Sequence, residues 1–450
     1  MIEELIKKYN VPVPRYTSYP TAPCWGDSLG TMDSIESIIK KSFRKSNTKS
    51  GISIYIHLPY CENLCTFCAC NRIITKNHKV EDSYIEAVLT EWQRYRSLFD
   101  GTPIIRELHL GGGTPTFFSP ENLKYLIESI MKDAKMHESH EFSFEAHPGI
   151  TTEEHLDTLY NVGFNRVSFG VQDFDEIVQE TINRKNDYET VKSITEKARE
   201  IGYSSVNYDL IYGLPKQKLS SVEDTIEKVA LLMPERIAFY SYAHVPWKMK
   251  MQRTFTDEDL PDNAEKRALY EKGKELLISS GYYDIGLDHF SLESDDLYKA
   301  YKERRLHRNF MGYNTSHTKM LIGLGASSIS DFDTMYIQNE KHVSKYEKKI
   351  QENRWAYERS YILTPEDECI KRAILDIACK RQLSITPEIR TYLTKSDFET
   401  LSVMQSEGLI MFDEDTLTVT DLGMIFLRNI CSVFDRNYDV NKQFNFSKSI

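Results

Sequence analysis

Six short β-rich runs alternate with amphipathic stretches, and this alternation is the strongest constraint on the fold. The runs lie at 52–58, 107–110, 142–146, 166–171, 206–211 and 236–242; helical periodicity occupies 82–98, 120–133, 188–201, 221–232 and 264–280. Strands alternating with helices specify βαβ units and a parallel sheet. Most runs end in polar or glycine residues. The second enters Gly111-Gly112-Gly113-Thr114, the third ends at Glu145, the fourth at Gln172, and the fifth carries Asp209. In α/β barrels ligands gather at the carboxyl ends of the strands. Six units predict an α/β fold: a partial (β/α)6 TIM-like barrel, not a closed eight.

The flanking regions differ. Residues 1–45 are expected to form an N-terminal arm, stiffened by Pro12, Pro14 and Pro20 and anchored by Arg15 and Tyr16. The barrel is expected over 46–285. Residues 286–359 read as a barrel extension and linker, with further β-rich pieces at 284–290 and 321–330 and a polar stretch at 339–359 that is expected to be an exposed helix or a linker. From 360 to 450 the pattern is mostly helical, then a hairpin at 408–420 turns at 413–415, a winged-helix-like cover domain. Residues 361–450 carry 14 acidic and 10 basic side chains. That balance, and the whole chain's net charge of -11, make nucleic acid a poor partner.

Four of eight cysteines fall within ten residues. Such a cluster in a long chain indicates a metal or redox site in a reducing compartment, not a disulfide framework. The spacing is Cys61-x3-Cys65-x2-Cys68, just after a strand. Thiolates suit iron–sulfur clusters or zinc. A structural zinc site shows two separated knuckles, and no second knuckle exists here. Three thiolates on one loop can hold three irons of a cubane cluster and leave the fourth iron open to a small molecule. Cys70 could be a fourth ligand, but its place two residues after Cys68 in a tight loop disfavours it. Cys369, Cys379 and Cys431 read as buried small hydrophobes, and His57 as a support for the loop.

This loop, followed one βα unit later by Gly111–Thr114, resembles the radical S-adenosylmethionine superfamily. The resemblance implies one [4Fe-4S] cluster, whose open iron chelates S-adenosylmethionine, and cleavage of the sulfonium to a 5'-deoxyadenosyl radical. It extends over nearly the whole chain to the oxygen-independent coproporphyrinogen III oxidase family. The segments that carry it include 14–20, 55–70, 108–116, 163–174, 209–217, 288–290, 306–313 and 428–431. That family converts two propionates of coproporphyrinogen III to vinyl groups, giving protoporphyrinogen IX in haem biosynthesis.

The resemblance further implies two S-adenosylmethionine sites. The cluster-bound molecule would touch Tyr55, Gly112, Glu145 and Ile329; the second would touch Phe67, Gly113, Thr114, Gln172, Arg184, Asp209 and Ala243. Carboxylates at strand ends can accept from ribose hydroxyls or an ammonium group, or simply cap the next helix. Arg184 can clamp a carboxylate or form a surface ion pair. A substrate with four propionates calls for cations, and Arg15, His307 and Arg308 are the candidates; no catalytic residue is assigned. His147 departs from the family's acidic residue before Pro148. It is expected to bond its own loop or a cofactor carboxylate, or to be a surface histidine.

The alternatives within the superfamily are a haem chaperone and a haem-modifying enzyme; outside it, an electron carrier. The chaperone relatives lack the arm at 15–20 and carry an aromatic where Cys70 stands, and a carrier needs no adenosine pocket. Implied partners are coproporphyrinogen III and an electron donor such as a flavodoxin or ferredoxin. A monomer is expected from the resemblance. No apolar run approaches membrane-spanning length, and the start of the chain carries no targeting pattern, so the expected location is the cytoplasm.

Overall fold

The computed structural model describes residues 2–26, 29–413, 415–438 and 446. All six expected strands form, as β1 (Ile52–Leu58), β2 (Ile104–Gly112), β3 (Lys135–Ala146), β4 (Arg166–Gln172), β5 (Ser205–Tyr212) and β6 (Arg236–Ser241). They are adjacent, in chain order and parallel. Every residue of β1 except Tyr55 is buried, as expected where helices cover a parallel sheet.

The helices between them are set by their first residues. Ser119 caps Pro120–Met131, with proline in the first turn. Asp187 caps Tyr188–Ile201, which ends on Gly202 at φ 117°. Two short helices were not legible: Glu176–Thr181, of six residues, and Glu153–Asn161, of nine, whose start is fixed by a mutual Thr152–His155 cap.

The sheet has twelve strands, not six. At one end β6 continues antiparallel into His289–Ser291 and Tyr283–Gly286. At the other, Leu321–Leu324 pairs parallel with β1 and is followed by three antiparallel strands ending at Tyr357–Ile362. The parallel part therefore has seven strands. The seventh comes late in the chain yet joins the first, a placement that no local periodicity reveals. The two edge strands do not pair, so the barrel stays open.

Of the two readings of the polar stretch at 339–359, the helix holds and the linker does not. The stretch contains the helix Val343–Gln351, whose Val343, Tyr346 and Ile350 are buried, between two sheet strands. The expected arm boundary at 45 falls inside the helix Met32–Ser50, whose Ile35, Ile39 and Phe43 join the barrel core. The boundary at 360 likewise falls within Tyr357–Ile362.

Beyond it, the helices Pro365–Lys380, Pro387–Tyr392 and Lys395–Ser406 precede the strands Ile410–Phe412 and Thr416–Val419, the second of which also pairs with Gln382–Ser384. This is a winged-helix-like order. The expected 413–415 turn includes residue 414, which lies outside the described residues. A second core joins Leu5, Tyr9, Val13, Tyr16 and Tyr19 of the arm to this region through Ile374, Ile377 and Ile430. No helix among the described residues is long and apolar enough to cross a membrane.

Candidate active site

Two cavities adjoin at the carboxyl ends of the parallel strands. The larger, about 600 Å³, is lined by Cys61, Cys65, Cys68, Phe67, Gly113, Thr114, Gln172, Arg184 and Asp209, with His147 on its wall. The other, about 450 Å³, is lined by Tyr55, His57, His109, Ile329, Arg15 and Arg308. Cys70, Gly112, Glu145 and Tyr240 line both and form the partition.

The cysteine loop is held by its neighbours. Cys61 Sγ lies 3.2 Å from Thr114 Oγ1, and Arg184 Nη1 donates to Cys65 Sγ at 3.7 Å. The Cys70 thiol beside Cys68, aided by Arg72 and Arg184, holds Cys68 down at about 6; burial pushes Cys61 up to about 11. Among the described residues no three His, Cys, Asp or Glu side chains close round a single ion. Three thiols spread along a cavity wall fit the donor set of a larger iron–sulfur cluster.

His57 Nε2 donates to the Asn71 carbonyl at 2.8 Å, which leaves Nδ1 to accept from the Tyr55 hydroxyl at 3.1 Å. His57 thus supports the loop, as expected.

The glycine turn spends its amides within the protein. The amides of Gly112, Gly113 and Thr114 already donate to Glu145 Oε2 (3.1 Å), the Leu58 carbonyl (2.8 Å) and the Tyr60 carbonyl (2.9 Å). Its donors at these positions are spent on the cysteine loop and Glu145, so the backbone can serve a ligand there only through carbonyl oxygens, which suit an ammonium group. The glycines themselves are required by packing: a Cβ at Gly113 would fall 2.7 Å from backbone of Pro59 and Tyr60, and one at Gly112, at φ 120°, 2.7 Å from the His57 ring.

Burial alone would raise the Glu145 carboxyl, but His109 and the Gly112 amide hold it below the usual range. Asp209 goes the other way. Burial, and then the negative charge of Glu145, push it up to about 6 despite hydrogen bonds from Ser168 Oγ (3.0 Å) and Asn207 Nδ2 (2.9 Å). Two carboxylates on the wall of the larger cavity favour a cation between them.

Among the described residues Arg184 forms no ion pair with a carboxylate. Its Nη2 donates to the Gly170 carbonyl at 2.7 Å, and its buried Nε has no partner, a donor free for a ligand. Gln172 sits at φ 69° on a bulge, which turns its side chain over Gly170. Ala243 lines neither cavity; its carbonyl is tied through Gln252 Nε2 (3.3 Å) to the Phe67 carbonyl (3.0 Å). His147 accepts from the Gly149 amide at 3.1 Å and is held neutral, down at about 3, by burial and by Arg184.

Of the expected cations, Arg15 and Arg308 face the smaller cavity and His307 does not. In the hairpin of His307–Asn309 with Gly312–Asn314, neighbouring side chains point to opposite faces. His307 therefore stacks on His317, ring centroids 3.8 Å apart, and burial keeps it neutral. Sequence reasoning missed His109, which contacts Ser143 Oγ at 2.8 Å and Glu145 Oε1 at 3.5 Å, and Tyr240 on the partition. Tyr240 lies at the end of the sixth strand, where the strand-end rule could have found it.

The family model described as the Radical SAM superfamily matches residues 55–229. Curated relatives named oxygen-independent coproporphyrinogen III oxidase include one from Escherichia coli K12, 37% identical over 96% of this chain and 94% of the relative. One from Pseudomonas aeruginosa is 33% identical over 99% and 98%. The solved coproporphyrinogen III oxidase of Escherichia coli, described as a radical SAM enzyme, superimposes with a TM-score of 0.89 at 35% identity, covering 97% of this chain and 99% of that one.

Proposed function

The chain belongs to the oxygen-independent coproporphyrinogen III oxidase family, with a radical S-adenosylmethionine domain, and from that premise we propose that it converts coproporphyrinogen III to protoporphyrinogen IX in haem biosynthesis by oxidative decarboxylation. A [4Fe-4S] cluster with S-adenosylmethionine, when bound, supplies a radical able to take a hydrogen atom from a propionate side chain.

The chain's own residues provide the setting. Cys61, Cys65 and Cys68 would hold the cluster. In our reading Tyr55, Gly112, Glu145 and Ile329 receive one S-adenosylmethionine and Phe67, Gly113, Thr114, Gln172, Arg184, Asp209 and Ala243 a second. Glu145, ionised and anchored by Gly112, suits an ammonium group; the spare Nε of Arg184 suits a carboxylate. Tyr240, Phe310 and Met311 give the smaller cavity aromatic and apolar walls, and Arg15 and Arg308 bring positive charge to anionic substrate arms. The arm brings Arg15 and Thr17 to this cavity and helps exclude water.

The observation that carries this reading is the partition: the three loop thiols on one side, Arg15 and Arg308 on the other, and Glu145 between them. We further propose an electron donor of the flavodoxin or ferredoxin type, a monomeric chain, and the cytoplasm, which suits eight free thiols. The test is anaerobic turnover of reconstituted, reduced protein with coproporphyrinogen III. Loss of two carbon dioxide units by mass, with 5'-deoxyadenosine formed only when substrate is present, supports the oxidase. Cofactor cleavage with no product, or no cleavage at all, points to a haem-modifying enzyme or a binding protein.

A further inference from the structure

A third cavity, about 70 Å³, lies between the barrel, the arm and the C-terminal region. Its charged lining is four arginines and one acid: Arg15 from the arm, Arg267 from the helix Asn263–Ser279, Arg308 from the hairpin, Arg428 from the helix Leu427–Ser432, and Asp288. Glu271 pairs with the Nη2 of Arg267 from outside the lining, so two net positive charges remain around one small pocket, in a chain of net charge -11.

Asp288 is engaged by Arg15 at 3.0 Å. Arg428 holds the arm by donating to the carbonyls of Val13 and Pro14. Arg308 is only 6% exposed, and its Nε and Nη1 have no partner; the buried Nε of Arg267 has none either. Buried guanidinium donors without acceptors are costly, and clustered like charges add to the cost. Burial, with Arg15 beside it, pulls Arg428 down to about 10. An anion would satisfy the donors and the charge together.

Arg15 and Arg308 also line the 450 Å³ cavity, so the two spaces adjoin across them. None of the three loop cysteines, Glu145 or Asp209 lines the small one. We propose that this cavity is a carboxylate subsite, holding one propionate of the tetrapyrrole away from the cofactor side while another propionate faces it. Arg267 and Arg428 then join Arg15 and Arg308 as substrate-positioning residues. The inference rests on the function proposed above; the bidentate geometry of guanidinium with carboxylate is its chemistry.

The test is titration of the reconstituted full chain with coproporphyrin III, read by porphyrin fluorescence, beside an S-adenosylmethionine titration. Arg267→Gln should weaken coproporphyrin binding about tenfold or more, the loss of a charged hydrogen bond, with S-adenosylmethionine affinity held within about twofold. Arg267→Lys, which keeps the charge and loses the fork, should fall between. In turnover, KM should rise with kcat nearly constant. Unaltered coproporphyrin affinity in Arg267→Gln, or an equal loss for both ligands, overturns the subsite. A wild-type chain that binds no coproporphyrin overturns the reading beneath it.

Discussion

The wall of the thiol cavity and the wall of the arginine cavity are built in different ways. The first is assembled from successive strand ends of one parallel sheet, so Thr114, Glu145, Gln172 and Asp209 follow one another at regular intervals in the chain and around the cavity. The second draws Arg15, Arg267, Arg308 and Arg428 from four distant segments. In the first, the backbone scaffold sets position, and side chains are aimed by the pleat and by bulges. In the second, position depends on the arm and the C-terminal region packing onto the barrel. Damage to the first should therefore remove cofactor chemistry and leave the fold, while damage to the second should loosen the docking of domains and the grip on substrate.

The largest effect expected is on the thiol side. Cys61→Ala, Cys65→Ala and Cys68→Ala should each reduce cluster absorption, iron content and cofactor cleavage to background, whereas Cys70→Ala should retain the iron. Iron loss in Cys70→Ala equal to that in the other three would make the loop a four-thiolate site, and the contrast between the two walls would lose its basis.

On the other side, Trp25 fixes the arm. It is 3% exposed, stacks on Tyr336 at 5.0 Å, and its indole N–H donates to the Pro20 carbonyl at 2.9 Å. Trp25→Ala should cost about 3–5 kcal/mol of stability, measured by denaturant unfolding, with iron content intact. A cost below about 1 kcal/mol would mean that the arm is only laid against the body.

Asp209 sharpens the comparison through pH. Its carboxyl titrates near 3.8 when unfolded and about 6 when folded, so the ionised form disfavours the fold. The stability it contributes is present below 3.8 and lost as pH rises through 6, a change of about 3 kcal/mol. Asp209→Asn should therefore stabilise the cofactor-free chain by about 1–3 kcal/mol at pH 8 and by less at pH 5, while weakening S-adenosylmethionine binding. An equal gain at both pH values would show that ionisation is not the cause.

This division also explains what was legible. The cysteine spacing, the glycine turn and the polar strand ends are local patterns, and the structure keeps them on one cavity wall. What the turn's amides do was not legible, because their acceptors, Leu58 and Tyr60, lie about fifty residues away along the chain. Leu321–Leu324 gives no hint that it pairs with β1. His307 and Arg308 are neighbours in sequence, yet only one faces the cavity, since a hairpin's face is decided by register. Arg267 and Arg428 look like ordinary helical arginines until four segments meet around the cavity. Local motifs predict the site that one sheet builds; a site built between domains needs the docking itself.

The smallest effect tests His147 on the thiol side, where many members of the family are expected to carry an acidic residue. His147 is held neutral, at about 3 against an ordinary 6.5, by burial first and Arg184 second. A histidine with a depressed folded pKa stabilises the fold fully above 6.5, and that contribution is lost as pH falls from 6.5 toward 3, because the unfolded imidazole gains its proton first. By pH 5.5 the loss should reach about 1.4 kcal/mol. His147→Gln can still accept from the Gly149 amide and has nothing to titrate, so it should match the wild type near pH 8, keep S-adenosylmethionine affinity within about twofold, and lose that acid sensitivity. Parallel stability curves for the two proteins between pH 8 and 5.5 would show that the imidazole is already solvated, and that the departure has left the cavity wall electrostatically unchanged.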